Sequence, residues 1–206
     1  LANVKCCGRP LISKGMLDKA VSHARHNVNV LYECVKNGKS IIGLEPSCIL
    51  TFRDDYLDLL TKEQKNKARI VAEKTFLLEE FIQDQFTIGL IDIQFNDTPR
   101  NILLHGHCHQ KALAGGSSAI EVLNKVPGFT VKLIDAGCCG MAGSFGFEKE
   151  HYDISMKIGN QRLFPAIRDE HGDFDVVASG VSCRQQIKHG TKKSPKHLAE
   201  ILLEAI

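Results

Sequence analysis

The chain has 206 residues, of which 43% are apolar and 24% are charged, and its formal net charge is +2. This length gives room for one large or two small domains, and the composition excludes a disordered or fibrous protein. The weak net charge predicts no nucleic-acid partner, and the lack of an apolar run of membrane-spanning length predicts no transmembrane segment.

In chain order, the predicted elements alternate between helices and short strands. Apolar residues at helical spacing predict four helices, at residues 16–37, 62–84, 149–169 and 194–205. Short β-branched runs that end at Gly, Pro or Ser predict four strands, at residues 40–44, 101–104, 129–135 and 175–179. A capping-box pattern from Thr61 to Gln64 is expected to begin the second helix. This alternation predicts an α/β fold with parallel sheets covered by helices.

Cysteines are the unusual feature of the composition. The eight are Cys6, Cys7, Cys34, Cys48, Cys108, Cys138, Cys139 and Cys183. A secreted disulfide-rich domain would be shorter and would lack a core, whereas this chain has long amphipathic helices. We therefore interpret the chain as a reduced, intracellular protein whose thiols bind metal or act in redox chemistry. Cys34 is the exception, because it lies on an apolar helix face and is predicted to be a core residue.

The chain contains an internal repeat. A Cys-Cys-Gly triplet at 6–8 and another at 138–140 are each followed by a helix, a strand and a lone cysteine, Cys48 or Cys183. The lone cysteine follows the second cysteine of its triplet by 41 positions in the first copy and by 44 in the second. This agreement indicates a duplication and predicts two pseudo-repeated lobes, each a mostly parallel sheet flanked by helices.

A turn-forming Asn-Asp-Thr-Pro run marks the expected boundary, with the first repeat at residues 1–98 and the second at 99–206. The second repeat has a further cysteine, Cys108, which precedes its triplet by 30 positions. An equivalent cysteine in the first repeat would precede Leu1, which is not an initiator methionine. We therefore expect a piece of a longer protein, in which the first lobe is truncated at its N-terminus.

The spacing of the cysteines predicts a metal centre in the second lobe, because loops after parallel strands meet at one edge of the sheet. The thiols expected to meet there are those of Cys108, Cys138, Cys139 and Cys183. Four thiolates suit a tetrahedral zinc ion or an iron–sulfur cluster, and the neighbouring glycines let backbone N–H groups approach sulfur. The first lobe keeps three members of its set, Cys6, Cys7 and Cys48. Its site is expected to be weakened or empty.

Other side chains are secondary ligand candidates. Three histidines surround the first cysteine of the second lobe: His105, His107 and His109. A turn this tight presents at most one or two of these rings to a metal ion, and hydrogen bonding to the backbone is the commoner role. Glu45 occupies the position that Gly180 holds in the other copy, and it is expected to ligate, to cap a helix or to remain solvated.

These motifs resemble the cysteine-rich CCG domain. That domain occurs twice in one subunit of heterodisulfide reductase, and also in the iron–sulfur subunits of glycolate oxidase, lactate oxidation complexes and anaerobic glycerol-3-phosphate dehydrogenase. The segments Gly-Leu-Glu-Pro-Ser-Cys at 43–48 and Gly-Cys-Cys-Gly-Met-Ala-Gly-Ser-Phe-Gly-Phe at 137–147 are more similar to one branch. That branch fuses an FAD-linked 2-hydroxyacid dehydrogenase, a ferredoxin-like segment and this domain in one chain.

The resemblance implies electron transfer rather than catalysis by this chain, so no catalytic residue is expected here. It implies an iron–sulfur cluster of the 4Fe-4S type, with zinc as an alternative in one lobe. The FAD and ferredoxin-like domains would lie in missing upstream parts, and a quinone or another acceptor would take the electrons. The implied location is cytoplasmic, peripheral to the inner membrane through the parent complex.

The chain departs from the fullest family pattern, in which each motif ends with Cys-x-x-Cys. Here the first of those positions is Glu45 in one copy and Gly180 in the other, so each site lacks one thiolate. This departure argues against the disulfide chemistry of the reductase. A thiol–disulfide reductase that uses Cys138 and Cys139 remains an alternative, as does a zinc-stabilised docking scaffold with no redox role.

Overall fold

The computed structural model describes residues 3–206 and shows an α/β fold built from parallel strands and helices. The chain forms two compact units; the first ends at Leu78 and the second begins at Glu79. Each unit contains one small parallel sheet flanked by helices, so the predicted fold class is confirmed. The predicted boundary at residues 98 and 99 concerns the sequence repeat rather than the compact units, and it stays a prediction.

The first unit contains a two-stranded parallel sheet, in which β1 pairs with β2. Its elements are α1 (Arg9–Ser13), α2 (Leu17–Lys36), β1 (Ile41–Gly43), α3 (Pro46–Arg53), α4 (Asp55–Leu59), α5 (Lys62–Glu73) and β2 (Thr75–Leu77). Helices α2 and α5 pack together through small and branched apolar residues that are fully buried, including Ala24 and Val28 on α2 and Val71 on α5.

The predicted single helix at 62–84 is wrong, because β2 divides it. Thr75 and Leu77 are buried, and β2 pairs in parallel with β1 at Ile41 and Gly43. The short β-branched and aromatic run therefore gains more from pairing with a distant strand than from continuing the helix. Thr61 does precede α5, but its side chain makes no capping hydrogen bond, so the capping box is also wrong.

The second unit contains a three-stranded parallel sheet in the order β4-β3-β5. Its strands are β3 (Arg100–Leu104), β4 (Phe129–Leu133) and β5 (Asp175–Val177). Its α-helices are α6 (Leu78–Thr87), α7 (Cys108–Leu113), α8 (Ser117–Leu123), α9 (Tyr152–Gln161), α10 (Leu163–Arg168), α11 (Val181–Thr191) and α12 (Leu198–Leu203). Short 3-10 turns lie at Phe145–Phe147 and Lys149–His151. The central strand is the most buried, since Ile102, Leu103 and Leu104 are almost inaccessible to solvent.

The predicted helix at 149–169 is broken at Arg162, whose φ of −144° is not helical. The break lets Phe164 turn into the core, where it is fully buried. A Cβ atom at Gly159 or Gly190 would overlap the Phe164 ring, so both glycines leave room for it. Packing of this ring therefore explains why one predicted helix becomes α9 and α10.

The three parallel strands of the second unit end at one edge of the sheet, and a cysteine-bearing segment follows each strand. In the first unit, β1 is likewise followed by α3, whose third residue is Cys48. Among the residues that the structure describes, no helix is both long and apolar enough to cross a lipid bilayer.

Candidate metal centre

The second unit brings together all four cysteines of the predicted set. Cys108 is the first residue of α7, and its Sγ lies 3.9 Å from the Sγ of Cys138, in the loop after β4. The thiol of Cys139 lies within interaction range of those of Cys138 and of Cys183, the third residue of α11. The four thiols therefore form one continuous chain from α7 through the loop to α11.

Neighbouring thiols in this chain shift one another's pKa. Cys108 donates to Cys138, and this bond, followed by burial, raises the pKa of the Cys108 thiol. The neighbouring thiols of Cys138 and Cys183, followed by burial, raise the pKa of Cys139. Cys108 and then Cys139 lower the pKa of Cys138, and Cys139 lowers the pKa of Cys183. A soft metal bound by these neighbouring sulfurs would displace their protons, because the thiolate is the ligand form.

The backbone of the loop after β4 is shaped by Gly140. Its φ is +100°, and its N–H donates a 3.3 Å hydrogen bond to the Sγ of Cys138, as predicted for this glycine-rich loop. A Cβ atom at Gly140 would overlap the carbonyl oxygen of Ser155 in α9. Both the left-handed backbone and the lack of space therefore require glycine here.

Two buried polar residues that the sequence did not reveal hold this loop against the helices. The Nε2 of Gln186 donates to the carbonyl oxygen and the Oγ of Ser155, at 3.3 Å and 2.9 Å. The Ser155 hydroxyl in turn lies 3.9 Å from the Sδ of Met141, next to the triplet. We name Ser155 and Gln186 the α9–α11 polar pair. Nothing in the sequence distinguishes these two residues from ordinary helix positions.

The three histidines lie around the cysteines. His105 is 1% exposed, neither ring nitrogen meets hydrogen-bond geometry with a described residue, and the ring faces the Cys183 thiol, whose pKa it lowers. His107 is also buried, with its ring against Gly180. His109 is half-buried, with its ring centroid 6.5 Å from that of His107, and its backbone N–H bonds to the Cys108 thiol.

The first unit brings together the three cysteines predicted there. The Sγ of Cys7 donates to the Sγ of Cys48 at 3.3 Å, and the Cys6 thiol hydrogen-bonds with Cys7. Cys7 is buried, but Cys6 and Cys48 are exposed. Glu45 caps α3, where its Oε1 accepts hydrogen bonds from the backbone N–H and the hydroxyl of Ser47, at 3.3 Å and 2.5 Å.

A second pair of buried polar residues holds the first triplet. The Nδ2 of Asn27 donates to the hydroxyl of Tyr56 at 2.8 Å, and that hydroxyl donates to the carbonyl oxygen of Cys7 at 2.8 Å. The Oδ1 of Asn27 accepts from the backbone N–H of Lys5 at 2.7 Å. Burial raises the pKa of Tyr56, so its hydroxyl stays protonated and available to donate. We name Asn27 and Tyr56 the α2–α4 polar pair.

The sequence matches the family model of the cysteine-rich domain, CCG, over residues 2–53 and 102–188. The chain belongs to this family. The first CCG segment contains Cys6, Cys7 and Cys48, and the second contains all four cysteines of the larger site. This assignment confirms the resemblance found in the sequence.

Curated relatives of this CCG chain come from longer proteins. A subunit of the anaerobic glycerol-3-phosphate dehydrogenase of Escherichia coli is 31% identical over 100% of this chain and 50% of its own length. The D-2-hydroxyglutarate dehydrogenase of Haemophilus influenzae is 25% identical over 97% of this chain and 19% of its own. An uncharacterized iron–sulfur protein of Methanococcus maripaludis is 24% identical over 78% of this chain and 29% of its own length. The chain spans about half the length of the first of these relatives, and less of the others.

The donor set of the second unit fits a metal centre of the kind that the CCG family and its iron–sulfur relative support. Four thiols from three separate segments meet at the carboxyl ends of parallel strands, and two of them, Cys139 and Cys183, are buried. The backbone N–H of Gly140 already points at one sulfur. Soft thiolate donors in this number suit iron–sulfur clusters or zinc and do not suit hard cations.

Proposed function

We propose that this chain is the iron–sulfur electron-transfer module of an FAD-linked dehydrogenase. The observation that carries the proposal is the continuous chain of four thiols in the second unit. In this proposal Cys108, Cys138, Cys139 and Cys183 hold a cluster of the 4Fe-4S type. Cys6, Cys7 and Cys48 form a weaker site in the first unit, which zinc would also suit.

A cluster bound there would supply reversible one-electron storage. Residues of this chain would stabilise the charge of the cluster and limit its contact with water. The N–H of Gly140 stabilises negative charge on the Cys138 sulfur, and burial of Cys139 and Cys183 keeps water from that side. Cys108 and Cys138 are partly exposed, so this side of the site is the one that an electron donor or acceptor would approach.

The substrate and partners in this proposal lie outside the chain. A flavin in an upstream domain oxidises a 2-hydroxy acid, and a ferredoxin-like domain passes the electrons to the centre described here. A quinone or another acceptor then takes them, with the parent complex on the cytoplasmic side of the inner membrane. The relatives named as dehydrogenases of glycerol-3-phosphate and D-2-hydroxyglutarate support a dehydrogenase as the parent protein.

The proposal is tested by anaerobic reconstitution of the chain with iron and sulfide. We expect about four irons and four acid-labile sulfides per chain and a paramagnetic signal in the reduced protein. Cys139→Ser should lose most of this content, whereas the matched control Cys34→Ser, on α2 outside both sites, should keep it. One tightly held zinc without a paramagnetic signal would favour the docking scaffold instead. Reduction of a mixed disulfide by the metal-free protein would favour the thiol–disulfide reductase.

A further inference from the structure

Position 180 requires glycine because a larger side chain would overlap its neighbours, and not because the backbone conformation demands it. Gly180 precedes α11 with φ of −75° and ψ of 132°, which any residue adopts. A Cβ atom built there would lie 2.5 Å from the Cδ2 of His107 and 3.2 Å from its Nε2. The same atom would lie 3.3 Å from the Sγ of Cys183. The imidazole and the thiol therefore both border the small volume that a side chain at position 180 would need.

Within the described residues, neither a capping role nor a hydrogen bond to Nδ1 explains the placement of His107. Its ring is 6% exposed, and its Nδ1 is buried without a hydrogen-bond partner in the described part of the chain. The residue precedes α7, yet its side chain makes no capping hydrogen bond. Buried polar side chains are normally hydrogen-bonded. A buried imidazole whose Nδ1 is unpartnered, and whose Nε2 edge lies with the Cys183 sulfur around Gly180, is placed where it could act as a metal ligand.

We infer that His107 supplies a nitrogen ligand to the centre of the second unit, beside Cys183. The inference rests on the proposed function and places a neutral imidazole where the fullest family pattern has the thiolate that Gly180 lacks. Imidazole nitrogen is a common ligand of both iron and zinc. In iron–sulfur centres, histidine in place of cysteine raises the reduction potential, because a neutral ligand leaves less negative charge on the cluster.

The test uses the full chain, labelled with ¹⁵N-histidine and reconstituted anaerobically with iron and sulfide. Pulsed electron paramagnetic resonance should detect a ¹⁵N coupling of the strength of a directly bound nitrogen. His107→Ala should lose this coupling. His107→Cys should also lose it and should lower the reduction potential, because a charged thiolate then replaces the neutral imidazole. Gly180→Ala should also lose it, because the added methyl group displaces the ring while keeping the histidine. His171→Ala changes an exposed histidine and should leave the coupling unchanged.

The outcomes separate this inference from the proposed function. A cluster signal without a strong nitrogen coupling in the unsubstituted protein would overturn the inference and leave the proposed function intact. A coupling that survives His107→Ala would assign the ligand to another histidine and overturn it equally. If no cluster assembles in any variant, the proposed function itself fails. The measurement on the unsubstituted protein needs no variant to fold, so the inference remains falsifiable in every case.

Discussion

The two units build the same arrangement with different degrees of protection. In each, a Cys-Cys-Gly triplet with a left-handed glycine meets a cysteine at the third position of a helix, Cys48 in α3 or Cys183 in α11. The first unit has three thiols, two of them exposed, whereas the second has four, of which two are buried and none is exposed. The number and burial of the sulfurs distinguish the two sites.

The two units also differ in how the polar pairs hold the Cys-Cys-Gly loops. In the first unit, the α2–α4 polar pair bonds directly to the backbone of the triplet, through Tyr56 and the carbonyl oxygen of Cys7. In the second unit, the α9–α11 polar pair lies behind the triplet, and Gly140 fits tightly against Ser155. One loop is therefore held by hydrogen bonds and the other mainly by close packing.

The largest expected effect tests this difference with one substitution in each triplet. Gly140→Ala should destabilise the protein by about 3 kcal/mol or more, because it adds overlap with Ser155 to the cost of a left-handed alanine. Gly8→Ala should cost only about 1 kcal/mol, because its Cβ atom would meet nothing closer than 3.8 Å. Urea unfolding of both variants measures the two free energies.

Gly137→Ala is the control, since it lies in the same loop and its Cβ atom would have no neighbour within 4 Å. We expect its free energy of unfolding to match that of the unsubstituted protein within about 0.5 kcal/mol. Equal costs for Gly140→Ala and Gly8→Ala would contradict the packing explanation of the second loop.

The next effect concerns the α2–α4 polar pair. Tyr56→Phe should destabilise the protein by about 1–3 kcal/mol, because it removes the donor to the carbonyl oxygen of Cys7 and the shortest of the hydrogen bonds that the Nδ2 of Asn27 donates. Tyr32→Phe changes a half-buried tyrosine of α2 and should cost much less. Unfolding midpoints in urea compare the variants, and equal costs would show that the Tyr56 hydroxyl does not hold the triplet.

A smaller effect concerns the reactivity of the metal-free thiols. Cys6 and Cys48 are exposed, whereas Cys183 is 1% exposed and reacts only when the structure opens locally. We expect the exposed pair to be alkylated at least about tenfold faster, which corresponds to ~1.4 kcal/mol of local opening. Mass spectrometry of peptides after timed alkylation measures each rate. Similar alkylation rates for Cys48 and Cys183 would show that the thiols of the two units are equally protected from solvent.

The cysteines could be predicted from the sequence because the repeat fixes their spacing, and parallel strands bring their loops to one edge. The residues that hold the cysteine loops in place could not be predicted from the sequence. Tyr56 and Gln186 act through contacts with residues far away in the chain, and no local pattern marks such contacts. The division of one predicted helix by β2 has the same cause, because the pairing of Thr75 with Ile41 is also non-local.

The smallest effect lies in the ion-pair network of the second sheet. The Nζ of Lys196 and a guanidinium nitrogen of Arg100 lie 2.7 Å and 2.8 Å from the Oε2 of Glu204, and both cations also contact Asp175. Lys196 and then Arg100 lower the pKa of Glu204 below its ordinary value. A carboxyl group with a lowered folded-state pKa stabilises the protein above its unfolded pKa, and this contribution is lost as the pH falls through the folded value.

Glu204→Gln should therefore lower the melting temperature slightly at neutral pH, and the difference should shrink toward zero below about pH 4. The loss should not exceed about 1 kcal/mol, because Glu204 is 43% exposed and solvent screens the pairs. Added salt should reduce the difference further, and thermal unfolding at two pH values and two salt concentrations measures both trends. A difference that stays constant as the pH falls would mean that Glu204 stabilises the sheet through packing rather than charge.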